Sequence, residues 1–403
     1  MARRGEKIGL WLIGASGGVG STVALGLAAL CKKLTGPTGL VTEQPQFGGL
    51  NLPPWNAFVL GGHEFRKESL IAGVHHLSKR AGLFDDKVVR ACRPRLVADQ
   101  RNIRPGTTCG LDPAARRMAD FDNAVQDRSA AAAVDRLASD ITDFRRRKHL
   151  DHVVVINVAS SEPGGRKKQW PKTISGLRRS LSRRGASPVP TSSIYALAAV
   201  DAGCAYINFT PSTGILVPAI RAYADERNVP YMGRDGKTGE TLVKSVLAPM
   251  FAMRNLNVMS WVGQNILGNR DGATLNDPAT RRAKIATKDR LVSQVLDDTV
   301  TSHVRIDYVP SLADWKVAWD YIHFRGFLGV KMSLQFTWCG SDSVLAAPLV
   351  LDLARLAVLE CRRGVGGPMK HLACFFKDPL DVSRHDLFSQ WVMLMTHTTA
   401  AHS

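Results

Sequence analysis

KIGLWLIGASGGVGS, residues Lys7 to Ser21, places an apolar run, Ile8 to Ile13, directly before a glycine-rich turn. An unbroken apolar run of this length reads as a strand buried on both faces, as in parallel sheets. Gly14, Gly17 and Gly20 space the turn as G-x-x-G-x-x-G, with Ser16 where G-x-G-x-x-G has its middle glycine. Ser21 to Cys31 (STVALGLAALC) then has helical character. In that order, the turn lets backbone approach a pyrophosphate, and the helix offers it free N–H groups and a positive dipole end. A glycine turn alone also serves as a tight structural corner; the strand before and the helix after it supply the dinucleotide context. The expected cofactor-binding residues are Gly14, Ala15, Ser16, Gly17, Gly18, Val19 and Gly20. A ribose-binding acid belongs at the end of the second strand. Ala57 to Leu60 (AFVL) is that strand, and Glu64, in Gly61-Gly62-His63-Glu64, is the acid.

Outward from this unit, Val153 to Val158 (VVVINV) and Cys204 to Phe209 (CAYINF) read as further strands. Ser129 to Arg147 and Ser192 to Ala202 read as helices, and Leu34 to Trp55, rich in Gly, Pro, Thr and Gln, reads as a surface insertion. Strands alternating with helices imply a mainly parallel sheet. The period then changes. Val304, Ile306 and Tyr308 alternate with Arg305 and Asp307, and Val330 to Trp338 alternates in the same way. Period two predicts strands with one packed face and one polar face. Asp342 to Arg362 resumes as a helix and Leu372 to Phe376 as a strand, returning the chain to its first domain. The fold class is therefore α/β: a discontinuous Rossmann-like dinucleotide domain over 1–236 with 341–403, and an α+β domain over 237–340 with an open, mainly antiparallel sheet.

A length of 403 residues accommodates two domains. Hydrophobic residues at 45% and charged residues at 22% exclude disordered, collagen-like and small disulfide-scaffold classes. The net charge of +18 favours anionic partners, though the same charge also serves a solvated surface. The basic segment Gly164 to Ser187 has only Trp170 as an aromatic, so a nucleic-acid-binding alternative lacks the stacking residues single-strand binders use. The seven cysteines form no C-x-x-C pair, so no metal site is expected and the setting is reducing and cytoplasmic. No signal peptide and no stretch of about 20 apolar residues is evident, so no membrane partner is expected.

Three constellations carry chemistry. Gly233 to Thr241 (GRDGKTGET) leads into an apolar-patterned helix, where Thr238 or Thr241 would cap and the first N–H groups would hold a phosphate; an ordinary capped turn has the same pattern. Lys284 and Lys288 share a helix face, which is either solvated or bridged by an anion. Lys316 sits among apolar residues in Ala313 to Trp319, and Lys377 follows Leu372 to Phe376. A lysine beside apolar walls can shuttle protons, but spacing alone does not join these four.

The run Asp235-Gly236-Lys237-Thr238-Gly239-Glu240-Thr241-Leu242-Val243-Lys244-Ser245-Val246-Leu247 resembles the D-x-K-S-G-Q-T-x-x-K-S-V-L segment of myo-inositol-phosphate synthases. Ser260 to Gly272 (SWVGQNILGNRDG) resembles their S-Y-N-H-L-G-N-N-D-G signature, Asn208 to Ser212 their N-G-S-P segment, and Val158 to Glu162 their T-A-N-T-E segment. The resemblance covers most of the chain and is densest from Asp235 to Lys377. It is least close in the first turn, where the family has G-W-G-G-N-N-G. His63 stands where many members have a ribose-binding Asp, and Glu240 replaces a Gln.

The resemblance implies conversion of D-glucose 6-phosphate to 1D-myo-inositol 3-phosphate with NAD as the cofactor. C5 is oxidised, the ketone enolises at C6, C6 attacks the C1 aldehyde, and the inosose is reduced. It implies that Lys284 moves the C5 hydroxyl proton with Asp235 as its partner, and that Lys288 and Lys377 stabilise oxyanions or orient substrate. Lys316 is implied as a further active-site lysine, with Asp271 and Asp342 holding the lysines. The implied phosphate-binding residues are Thr238, Gly239, Glu240, Thr241, Asn265, Leu267 and Asn269. Ala159, Ser160 and Asp235 are implied to touch the cofactor. A homo-oligomer, a tetramer paired through the open sheet, is also implied. The alternatives are a homologue acting on another sugar phosphate and a net dehydrogenase.

Overall fold

The computed structural model describes residues 5–111, 124–162, 170–183, 185–269, 272, 295–296 and 300–400. The first part of the chain alternates strands β1 (Ile8–Ile13), β2 (Phe58–Glu64), β3 (Ile103–Pro105), β4 (His152–Asn157), β5 (Ala205–Asn208) and β6 (Pro230–Gly233) with helices. The helices are α1 (Gly18–Cys31), α2 (Leu70–Ala81), α3 (Asp86–Gln100), α4 (Ala130–Lys148), α5 (Ile174–Leu181), α6 (Thr191–Asp201) and α7 (Pro218–Glu226). Each strand pairs in parallel with its neighbours. β1 is central: Ile8 lies opposite both Phe58 of β2 and His152 of β4. Its six residues are buried throughout, which is why its sequence shows no polar alternation.

After helix α8 (Glu240–Met253), strands β7 (Asn257–Leu267), β8 (Thr301–Tyr308), β9 (Trp315–Arg325) and β10 (Lys331–Ser341) form a second sheet in the order β10-β9-β7-β8. The sheet is mainly antiparallel, as expected, with one parallel pair that makes it mixed. β9 pairs antiparallel with both β7 and β10, but β8 lies parallel to β7. Side-chain alternation reports which face is buried, not strand direction, so the sequence pattern was silent on this point. The inward residues Trp261, Ile322, Ala248, Phe251 and Val258 make a small core under α8, and Leu334 and Phe336 pack against it.

The chain then returns to the first sheet. Helix α9 (Asp342–Arg363) packs on α1, strand β11 (Gly367–Pro368) pairs with β6, and helix α10 (Leu387–Ala400) ends the described chain. The first sheet is thereby completed in the order β11-β6-β5-β4-β1-β2-β3. Strand order reverses between β1 and β4, which opens a crevice at their carboxyl ends, the place where such sheets take ligands.

Two local expectations fail for physical reasons. Leu372 to Phe376 is not a strand; Lys370–Phe375 forms a 3-10 helix with Leu372, Ala373, Cys374 and Phe375 all buried. A short apolar run buried on every side has no period to separate the two conformations. Leu34 to Trp55 is not merely a surface insertion. The Asp352 carboxylate of α9 accepts from Val41 N, Thr42 N and Thr42 Oγ1 at 2.6–3.0 Å, and Phe47 is buried. The anchor is 310 residues away, so local composition could not reveal it.

Candidate active site

The glycine turn sits at the carboxyl end of β1. Gly14 has φ +84°, and a Cβ there would lie 2.7 Å from the Ala159 Cα across the β1–β4 crevice. Helix α1 begins at Gly18 without a side-chain cap. Its first N–H groups therefore remain for a ligand. A Cβ at Gly18 would meet the Ser343 Oγ at 2.5 Å, so the starts of α1 and α9 are pressed together. A backbone cradle that bare glycines keep open, at an uncapped helix start, fits a diphosphate. Gly14, Ser16, Gly17, Gly18 and Val19 line the resulting cleft of about 830 Å³; Ala15 and Gly20 are buried behind them.

Glu64 lines the same cleft at the end of β2. Its carboxylate accepts from Ser16 N at 3.0 Å, from Phe65 N and Arg66 N at 3.1 Å, and from the Arg66 guanidinium at 3.0 Å. It thus fixes the turn's own backbone. The neighbouring His63 is buried: Trp11 Nε1 donates to its Nδ1 at 3.0 Å, which leaves the proton on Nε2 toward Asp140 at 3.2 Å. Burial holds its pKa below the usual histidine value, so the ring stays neutral. Across the crevice, Ala159, Ser160 and Glu162 line the cleft, and Ser192 donates to the Glu162 carboxylate.

Two lysine–carboxylate pairs face this cleft. Lys377 Nζ donates to Asp235 Oδ1 at 2.8 Å, and Lys377 N donates to the Asp235 carbonyl at 2.7 Å. Both residues are buried. Lys316, on β9, lies 3.7 Å from Asp342 Oδ1, the first residue of α9, and Asn269 Nδ2 donates to Asp342 Oδ2 at 3.3 Å. Lys316, Lys377, Asp235, Asp342, Asn269 and Thr238 all border the cavity that the glycine turn opens. Asp271, Lys284 and Lys288 lie outside the described residues.

Glu240, Thr241, Asn265 and Leu267, expected near a phosphate, do not line this cleft. The Glu240 carboxylate turns into the second core, 2.7 Å from Lys244 Nζ, which is itself 3.1 Å from Asp320. Trp261 Nε1 donates to Asp320 at 2.8 Å. Thr241 and Asn265 are buried, and Leu267 packs with Val304 and Ile306. With Glu240 drawn away, no carboxylate side chain of the α8 start is directed at the anion its dipole would favour.

The sequence reading missed two groups. Asp314 is buried and holds the Ser341-Asp342-Ser343 turn: Ser341 Oγ and Ser343 N donate to Oδ2 at 2.5 and 3.0 Å, and Ser343 Oγ to Oδ1 at 2.7 Å. Burial pushes its carboxyl up, against the pull of these donors. Its position two residues before Lys316 was the available signal. Lys237 is 2% exposed, donates to Gln390 Oε1 at 2.5 Å and has its pKa pulled down by burial to about 8.

A family model described as myo-inositol-1-phosphate synthase, an NAD-binding family, matches residues 8–398. The chain belongs to that family. NAD is accordingly its cofactor, and the glycine cradle fits that molecule's diphosphate. Among curated relatives of the synthase family, the chain is 30% identical over 414 residues to inositol-3-phosphate synthase 1 of Bacteroides thetaiotaomicron, covering 96% of this chain and 94% of that protein. It is also 30% identical over 407 residues to inositol-3-phosphate synthase 1 of Rattus norvegicus, covering 90% of this chain and 70% of that one. A crystal structure of inositol-3-phosphate synthase from Caenorhabditis elegans shares the fold, with a TM-score of 0.90 at 23% identity over 99% of this chain and 86% of that chain.

Proposed function

We propose that this chain is an inositol-3-phosphate synthase that cyclises D-glucose 6-phosphate to 1D-myo-inositol 3-phosphate. The observation that carries the reading is the meeting of two lysine–carboxylate pairs, Lys377–Asp235 and Lys316–Asp342, with the glycine turn in one cleft. When bound, NAD supplies the oxidation at C5 and the closing reduction, so no net redox change results.

The rest of the chemistry falls to the protein's side chains. Enolisation beside the C5 ketone and closure of C6 on C1 both place negative charge on oxygen. Fixed ammonium groups in a cleft stabilise such an oxyanion, and removing one costs on the order of 10²-fold or more in rate. Lys377 is held by Asp235 for this task, and Lys316 by Asp342. Lys284, with Asp235, moves the C5 hydroxyl proton, and Lys288 and Asp271 complete the set on the strength of the resemblance. Thr238, Gly239 and the uncapped start of α8 receive the phosphate. Glu64, Ala159 and Ser160 border the nucleotide. The net charge of +18 draws the anionic substrate in. The first sheet, over 1–236 with 341–403, holds the cofactor, and 237–340 supplies most of the lysines.

Incubation with glucose 6-phosphate and NAD+ should yield inositol phosphate without accumulating NADH. Net NADH would indicate a dehydrogenase instead, and no product across salt and pH would end the proposal. Lys284→Ala should abolish turnover while NAD still binds; full activity in that variant would refute its role.

A further inference from the structure

At the far end of α9 from the cleft, three potential ligands converge. Glu360 lies near the helix's carboxyl end, about 27 Å along the axis from Asp342 at 1.5 Å per residue. His371 comes from the 3-10 turn Lys370–Phe375 and His397 from α10. One carboxylate oxygen and one ring nitrogen from each histidine lie within 4.8 Å of one another. Glu360 is 3% exposed, so its carboxylate is committed to this spot. The two imidazoles stack face to face, 3.6 Å between centroids and 2° from parallel. His397 Nε2 lies 2.8 Å from Glu360 Oε1 and 3.2 Å from Arg363 Nη1. One ring nitrogen cannot both donate to the carboxylate and accept from the guanidinium. No hydrogen-bond partner of the His371 ring is found among the described residues. A cation that displaces the proton between His397 Nε2 and the Glu360 carboxylate would find two ligand atoms there and the His371 ring beside them.

We propose that Glu360, His371 and His397 form a divalent transition-metal site, of zinc type, that fastens the C-terminal helix α10 to α9. The donor set is one carboxylate and two imidazoles, which leaves a fourth tetrahedral position for water. Ligand atoms around tetrahedral zinc stand about 3.3 Å apart, given bonds of about 2.0–2.1 Å. No two of the present atoms are more than 4.8 Å apart, so the widest pair closes by at most about 1.5 Å, the Glu360–His397 pair at 2.8 Å opens, and one stacked ring turns so that both nitrogens face the ion. Burial and the neighbouring His397 hold the His371 ring neutral, with a pKa of about 3, which is the form that ligates a metal. Arg363 is the competitor: its Nη1 lies 3.3 Å from Glu360 Oε1, and its side chain is 34% exposed and free to swing into solvent. The expectation of no metal came from the cysteine pattern and was blind to a triad spread over three elements.

The test is calorimetric titration with Zn²⁺ of chelator-stripped full-length protein, in wild type and in His371→Phe, His397→Phe and Arg363→Ala. Phenylalanine keeps the ring stack and removes the nitrogens, and circular dichroism with NAD binding reports that the fold survives. Zinc taken up by the cysteines or the cleft is common to all four proteins. Wild type should take one more zinc per chain than either histidine variant, or bind it at least about tenfold more tightly, since loss of even an outer partner costs about 10–100-fold. Arg363→Ala should bind that zinc more tightly than wild type. Zinc should raise the melting temperature of wild type by more than that of either histidine variant. Equal stoichiometry and affinity in wild type and both histidine variants would overturn the site.

Discussion

Lys377 and Asp235 are 142 residues apart, and their 2.8 Å contact exists only because the chain returns to its first sheet. Spacing could nominate each residue but not their pairing. Lys377→Met should lower kcat by about 10²-fold or more with the secondary structure intact, measured by product formation and circular dichroism. Lys237 tests a different property. Its folded pKa of about 8 lies below the ordinary 10.5. Between those values the unfolded chain keeps a proton that the folded chain has released, so stability rises with pH across that window. At neutral pH the buried ammonium opposes folding by about 3 kcal/mol, partly offset by its bond to Gln390. Lys237→Met should therefore gain most relative to wild type near pH 7 and lose that gain between about pH 8 and 10.5. A difference that is flat in urea titrations over this range would refute the assignment. Glu240 marks the limit of legibility at this scale. Its departure from the family's Gln was visible in the sequence, and so was Lys244 one helical turn on, but Asp320 of β9, which meets Lys244 and helps to draw the carboxylate inward, becomes a neighbour only through tertiary packing.

Elements were legible where one periodicity dominated. β1 was read from its apolar run and β8 and β10 from their alternation, because burial on two faces and on one face leave different patterns, while β7 and β9 were not read as strands. The 3-10 turn at Lys370–Phe375 and the parallel pairing of β8 were not legible, since neither conformation nor direction is encoded in those patterns. The strand–turn–helix unit carries its own prediction. Alanine at Gly14 would have to adopt φ near +84° and place a methyl 2.7 Å from the Ala159 backbone. Gly14→Ala should lose about 1–3 kcal/mol of stability in chemical denaturation and bind NAD at least about tenfold more weakly. Unchanged NAD affinity would remove this crevice from the cofactor site.

At the scale of the whole molecule, the second sheet covers its core with one face, and among the described residues the other face carries exposed aromatic side chains. Trp319 is 41% exposed and stacks with Tyr321, while Phe327 and Leu328 at the β9–β10 turn are 88% and 84% exposed. We propose that this face pairs subunits. Trp319→Glu combined with Phe327→Glu should shift the protein to a smaller species in sedimentation velocity, whereas an unmoved sedimentation coefficient would locate assembly elsewhere. The return of the chain through α9 also has a consequence in time. Helix α1 is packed against α9, which ends at Arg363. On a ribosome adding about 5–20 residues per second, roughly 15–65 seconds pass between the end of α1 and the end of that partner. The cofactor half is therefore begun first and finished last, and through that interval the apolar flank of α1 is a surface for a chaperone to cover.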